Sequence, residues 1–202
     1  MSRTVADLTD LAARWNAALE RELPAAAQLR RELHAQPRVA GEEHATTARI
    51  THALSDLIDF EPIAGSGAVG RFGPADGPSI GLRAELDALP VTELTGAPFA
   101  ATNGAMHACG HDVHQAALVA LVRAAQGPEL PAGIVALLQP REESYPSGAL
   151  DVVRAGVLER FGIAHVIGAH VHPGVRVGAV ASGGGFINAA ADEIEVRVEG
   201  RG

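Results

Sequence analysis

The stretch GIVALLQPREES, residues 133–144, is a short apolar run that opens on Gly133 and stops at Pro140, where a charged turn takes over. Its length and boundaries read as a β-strand rather than a helix. Three further runs have the same form: AVGRF (68–72), SIGLRAEL (79–86) and AHVIGAHV (164–171). Between them lie patterns of helical period, DVHQAALVALVRAAQ (112–126), with Gly127 and Pro128 as stop signals, and SGALDVVRAGVLER (147–160). Strand, helix, strand, helix, strand in that order predicts an α/β fold with parallel crossovers. Sheets of that kind place their sites at the carboxyl ends of strands, where the chain turns toward the next helix.

Upstream, apolar residues recur at helical spacing from Asp7 to Ala35, through Leu8, Leu11, Trp15, Leu19, Leu29 and Leu33. Pro24 fits only the first turn of a helix, so two consecutive helices, or one broken at Pro24, are expected. A second helical stretch covers 42–57, with Ile50, Leu54 and Leu57 on one face. Downstream, AADEIEVRVEGRG (190–202) alternates Ile194, Val196 and Val198 with charged residues. That is a half-exposed strand in need of a partner.

The 202 residues carry 24 acidic and 16 basic side chains, a net charge of −8, and no lysine. Schiff-base chemistry and a phosphate-binding P-loop lysine are thereby excluded. No basic stripe is present to track phosphates, so no nucleic-acid partner is expected. One cysteine cannot form an internal disulfide, no apolar run approaches the about 18 residues of a membrane span, and the N-terminus lacks a signal-peptide core. The expectation is a cytoplasmic protein with no membrane partner.

Four polar clusters fall at strand ends: Glu85 and Asp87 in RAELDALP, the histidines and Cys109 in MHACGHDVH (106–114), Glu142 and Glu143 in QPREES, and His170 and His172 in GAHVHPG. Cys109 and His111, two apart, share one side of a loop but not one face of a helix, so they can bind one centre if they precede the helix, with Asp112 as its N-cap. Thiolate, imidazole and carboxylate together suit borderline divalent ions such as Zn, Mn or Co. Adjacent carboxylates can divide labour, one ligating and one accepting a proton. Taken singly, each cluster also reads blandly, as a small buried cysteine beside decorated turns or as a solvated acidic turn. His34, His44, His52 and His165 have no clustered partners and are expected at the surface or at helix ends.

The motifs LRRELHAQP (29–37), GEE (41–43), LRAELDALPV (82–91), PFAATNGAMHACGHDVH (98–114), LLQPREE (137–143), GAHVHPG (168–174) and EIEVRVEGRG (193–202), in this order, resemble the M20 metallopeptidase family. The likeness is to its amidohydrolase branch, which acts on N-acyl amino acids. It implies a zinc-peptidase-like, mixed but largely parallel sheet flanked by helices, with residues 1–187 as the N-terminal part of the catalytic domain. Residues 188–202 would be the first strand of a lid domain through which full members dimerise. It further implies two divalent metal ions held by Cys109, His111, Glu143 and His170, with Glu142 as general base and Asp87 orienting a ligand histidine from behind. Glu85 stands where the branch has Asp, and Tyr145 and Pro146 stand where it has a glycine-rich loop. The resemblance is to the N-terminal half of the family only, since full members add a further histidine ligand and a substrate-gripping lid that these motifs do not include.

The function expected is hydrolysis of the amide bond of N-acetyl- or N-benzoyl-type amino acids by water activated between two metal ions. Two alternatives stand beside it: an inactive remnant or metal-binding module, and a metal-independent thiol hydrolase in which His111 or His114 activates Cys109.

Overall fold

The run at 133–139 is the strand on which the sheet turns. In chain order the elements are α1 (Val5–His34), α2 (His44–Ala53), β1 (Glu61–Ile63), β2 (Gly67–Phe72), β3 (Ser79–Glu85), α3 (His111–Ala124), β4 (Gly133–Gln139), α4 (Gly148–Arg154), α5 (Val157–Arg160) and β5 (Ile163–Gly168). The structure, a computed structural model, describes residues 5–127, 129–185, 194 and 196–200. Residues 1–171 form one unit, which holds all ten elements, and residues 172–202 a second. Within the second, Val175 N donates to His172 O and Ala179 N to Arg176 O. The segment expected as a lid strand, 188–202, falls largely outside the described residues.

The five strands are ordered β1-β2-β4-β3-β5. β3 runs parallel to both β4 and β5, whereas β2 is antiparallel to β1 and to β4, so four of the five strands point the same way. The α3 crossover carries the chain from β3 to its neighbour β4. The α4–α5 crossover then carries it past β3 to β5 on the far side, leaving β3 central among three parallel strands.

All seven residues of β4 are buried, which explains its unbroken apolar run. Ile134, Ala136 and Leu138 enter one core with Leu33, Ile50, Leu54, Leu118 and Val122 from the α1–α3 layer. Val135 and Leu137 enter a second with Ile63, Val69, Val152 and Val157, where α4 and α5 cover the other face. Successive side chains of a strand point to opposite faces, so one short segment nails together three layers.

Four expectations are corrected. α1 runs unbroken through Pro24, because its packing on α3, with Trp15 Nε1 donating to Leu121 O at 3.1 Å, outweighs the single main-chain bond that proline removes. The 147–160 helix is split at Gly156, whose left-handed φ of 64° caps α5. A short edge strand, β1, had no alternation long enough to be read. The fourth run begins as strand at Ile163 and ends at Gly168, leaving His170 on the loop beyond.

Leu138 is fully buried in the first core. Leu138→Ala is expected to lower the unfolding free energy by about 2–5 kcal/mol in urea denaturation. Val153→Ala, at a position 57% exposed on α4, should change it by less than about 0.5 kcal/mol.

Candidate metal centre

Because β3, β4 and β5 are parallel, their carboxyl ends share one edge, and the polar clusters meet there: Glu85 as the last residue of β3 with Asp87 just beyond, Glu142 and Glu143 after β4, His170 after β5. The β3–α3 connection returns to the same edge and delivers Cys109 just before the helix. Cys109, His111 and His170 each place a donor atom within 4.8 Å of the others, and so do His111, Glu142 and Glu143. His111 belongs to both groups. It does not precede the helix, as expected, but opens it, and Gly110, at φ 83°, is the cap residue.

The site is braced from beneath. His111 Nδ1 donates to the main-chain oxygen of Asp87 at 2.8 Å, so the free lone pair lies on Nε2. Asp87, expected to orient a ligand histidine from behind, meets His111 Nδ1 with its main-chain oxygen, while its Oδ1 stands 3.7 Å from the same nitrogen. The carboxylate acts elsewhere, with Oδ2 accepting Glu143 N at 2.8 Å. A second buried carboxylate, Glu43 of the GEE motif, accepts Arg141 N at 2.8 Å and the Ser66 hydroxyl at 2.5 Å. Arg141 is one of two non-glycine residues with positive φ among the described residues, at 52°, and Glu43 holds that turn just ahead of the glutamate pair.

Two buried atoms at the centre have no hydrogen-bond partner, His111 Nε2 and Glu143 Oε1, and they face each other at 3.8 Å. Glu142 Oε2 stands 3.7 Å from the same nitrogen. Unpartnered nitrogen and oxygen donors, with the Cys109 sulfur grouped beside His111 and His170, fit a borderline divalent cation. Electrostatics agree. Burial, then the neighbouring Glu143 carboxylate, pushes the Cys109 thiol up to about 12, and burial followed by Glu143 also raises Glu142. That surrounding is the opposite of the electropositive one that activates a cysteine nucleophile, whereas a cation would relieve the crowding of negative charge.

His170 is exposed, and its Nδ1 donates to Val171 O, leaving Nε2 as its free donor. His172 belongs to the second unit, where its Nδ1 accepts Gly174 N. Tyr145 is exposed. His44, His52 and His165 are exposed as expected, but His34 is buried between Asp112 Oδ2 at 2.9 Å and Glu93 Oε1 at 3.0 Å. Asp112 therefore caps nothing. Fully buried, it also accepts Arg30 Nε at 2.6 Å and ties the first turn of α3 to α1. Spacing could not pair His34 with residues 59 and 78 positions away; only its place within LRRELHAQP hinted at a role. His107 is buried with neither ring nitrogen bonded, and burial lowers it to about 4.

The fold and this donor set define an α/β protein with a candidate divalent-metal site at the carboxyl edge of its sheet. The chain matches, over residues 81–201, the family described as peptidase family M20/M25/M40, and it belongs to that family. It is 42% identical over 180 residues to an N-acetyl-L-cysteine deacetylase of Bacillus subtilis, covering 86% of this chain and 42% of the relative. An N-acetyldiaminopimelate deacetylase of Exiguobacterium sibiricum is 35% identical over 183 residues, covering 87% and 49%. In structure the chain resembles the Bacillus subtilis YXEP protein, described as a dinuclear metal binding peptidase from the M20 family, with a TM-score of 0.67 at 34% identity over 80% of this chain and 46% of that one. The chain spans about half the length of these curated relatives.

Glu93 supports the loop that leads into the centre. Burial alone would raise its carboxyl, but bonds from Thr95, Ala101 N and His34 outweigh it and hold the group at about 2, below the ordinary 4.5. A depressed pKa stabilises the fold above the unfolded value, and that contribution is lost as pH falls toward 2. In urea denaturation Glu93→Gln should therefore be less stable than the native chain above about pH 5, with the gap closing between pH 4.5 and 2.

Proposed function

We propose that this chain carries most of the catalytic centre of a metal-dependent amidohydrolase that cleaves N-acyl amino acids. Cys109, His111, Glu143 and His170 hold two divalent ions, Zn, Mn or Co, with Glu142 as the base. The observation that carries the reading is the division within the glutamate pair. The Glu143 side chain is 19% exposed and presents a buried, unpartnered oxygen to His111 Nε2, whereas Glu142 is 38% exposed and opens to solvent. Two N-acyl deacetylases among the relatives support the substrate class.

When bound, the metal ions polarise the amide carbonyl and lower the pKa of water toward neutrality. The chain's own residues do the rest. His111, locked through Nδ1 on Asp87 O, aims Nε2 at the centre. Asp87 Oδ2 and Glu43 Oε1 grip the main chain on either side of Glu142, through Glu143 N and Arg141 N. Glu142, the more exposed of the pair, is the carboxylate free to act as base. It takes a proton from the attacking water onto its carboxylate and returns it to the departing amine nitrogen, and the products are a carboxylic acid and a free amino acid.

The whole protein is proposed to be cytoplasmic and to dimerise through a lid that begins near residue 188. Among the described residues no helix is long and apolar enough to cross a membrane.

In the metal-loaded whole protein, Glu142→Gln should lower kcat on N-acetyl amino acids by about 10²–10⁴-fold while leaving metal content unchanged. A chelator should abolish turnover, and Mn or Zn should restore it. Inertness of the loaded protein toward both N-acetyl and N-benzoyl amino acids would defeat the substrate assignment. Activity that survives chelation but not alkylation of Cys109 would defeat the metal reading.

A further inference from the structure

His170 sits on a loop beyond the edge strand β5, so something other than the sheet must hold it in place. The neighbouring main chain has two attachments. Val171 N donates to His114 Nε2 at 3.1 Å. A Val171 methyl also lies only 2.3 Å from where a Cβ on Gly110 would stand, a seat that only glycine leaves open. The His114 ring lies against that of His170, with centroids 4.6 Å apart at 66°.

His114 is itself held from the sheet. Because Nε2 accepts from Val171, the ring proton lies on Nδ1, which donates to Glu85 Oε2 at 3.0 Å. The other oxygen of Glu85 accepts Arg83 Nη1 at 2.6 Å, and Arg83 Nε donates to Gln139 Oε1 at 2.5 Å. Glu85 and His114 are both buried. Glu85, His111 and His114 also place donor atoms within 4.8 Å of one another, but both nitrogens of His114 are committed, so it has no lone pair for an ion.

We infer that His114, braced by Glu85, is a positioning residue that fixes His170 for metal binding through the N–H of Val171. The buried pair thus couples the end of β3 to the loop after β5 through the first helical turn of α3. The inference rests on the reading of His170 as a ligand.

The test uses the metal-free whole protein titrated with Co(II), read by calorimetry and by the thiolate-to-cobalt absorption that Cys109 gives. Glutamine places an amide oxygen near the position of Nε2 and can still accept from Val171 N. Asparagine reaches only as far as Nδ1 and cannot. His114→Gln should therefore bind close to native affinity, whereas His114→Asn loses about 10–100-fold and keeps the thiolate band at saturating Co(II). In a His170→Ala background, His114→Asn should bring no further loss. Independently of any variant's folding, the Val171 amide of the metal-free native chain should exchange with solvent more slowly than its exposed neighbours. Equal binding by the two His114 variants, losses at 114 and 170 that multiply, or an unprotected Val171 amide would each overturn the inference. If the native chain binds no Co(II), the metal reading itself falls, an outcome distinct from the others.

Discussion

One hydrogen bond sets the polar edge of this protein: His111 Nδ1 to the main-chain oxygen of Asp87, at 2.8 Å. It joins the first residue of α3 to the loop just after β3, fixes the tautomer, and turns a bare Nε2 toward the glutamate pair. A main-chain acceptor is a rigid one, since its position is set by the sheet rather than by a rotamer. The Asp87 side chain is thereby free to brace Glu143 N, and a single residue of the β3 loop aligns both halves of the centre.

The same edge buries many charges in a small volume. Glu43, Glu85, Asp87, Glu93 and Asp112 are all buried, and each has a named partner: Arg141 N and Ser66, His114 and Arg83, Glu143 N, His34 with Thr95 and Ala101 N, and Arg30 with His34. A buried carboxylate without such partners would protonate or destabilise the fold. Among the buried polar atoms left without a partner, His111 Nε2 and Glu143 Oε1, with Asp87 Oδ1 close by, stand where a cation would complete the set, while both His107 nitrogens, Asp112 Oδ1 and Gln115 Oε1 are unpartnered as well. The bonds to Asp87 O and Asp87 Oδ2 keep the His111 and Glu143 donors in place.

Much of this was legible in the residues. The runs at 68–72, 79–86 and 133–139 announced strands, because two-faced burial demands uninterrupted apolar side chains and glycine or proline ends them. The clustering of Cys109, His111, Glu142, Glu143 and His170 at predicted strand ends was legible too, because parallel strands put their carboxyl ends on one edge. Three-residue β1 was not, since too few residues alternate to form a pattern. Nor was the helix break at Gly156, where the apolar period runs straight through a residue whose left-handed conformation belongs to the folded chain.

The sequence by itself determined the alternation of the longer strands with helices and the kinds of donor atom at the site, because periodicity and residue chemistry are local properties. Only the tertiary structure decided the partnerships: that β5 lies beside β3 rather than β4, that His34 is buried between Asp112 and Glu93, that Asp87 orients His111 by its carbonyl, and that Glu43 secures Arg141. Each of these joins residues tens of positions apart. Which buried acid finds which donor depends on where the packed layers bring them, and no spacing along the chain encodes that distance.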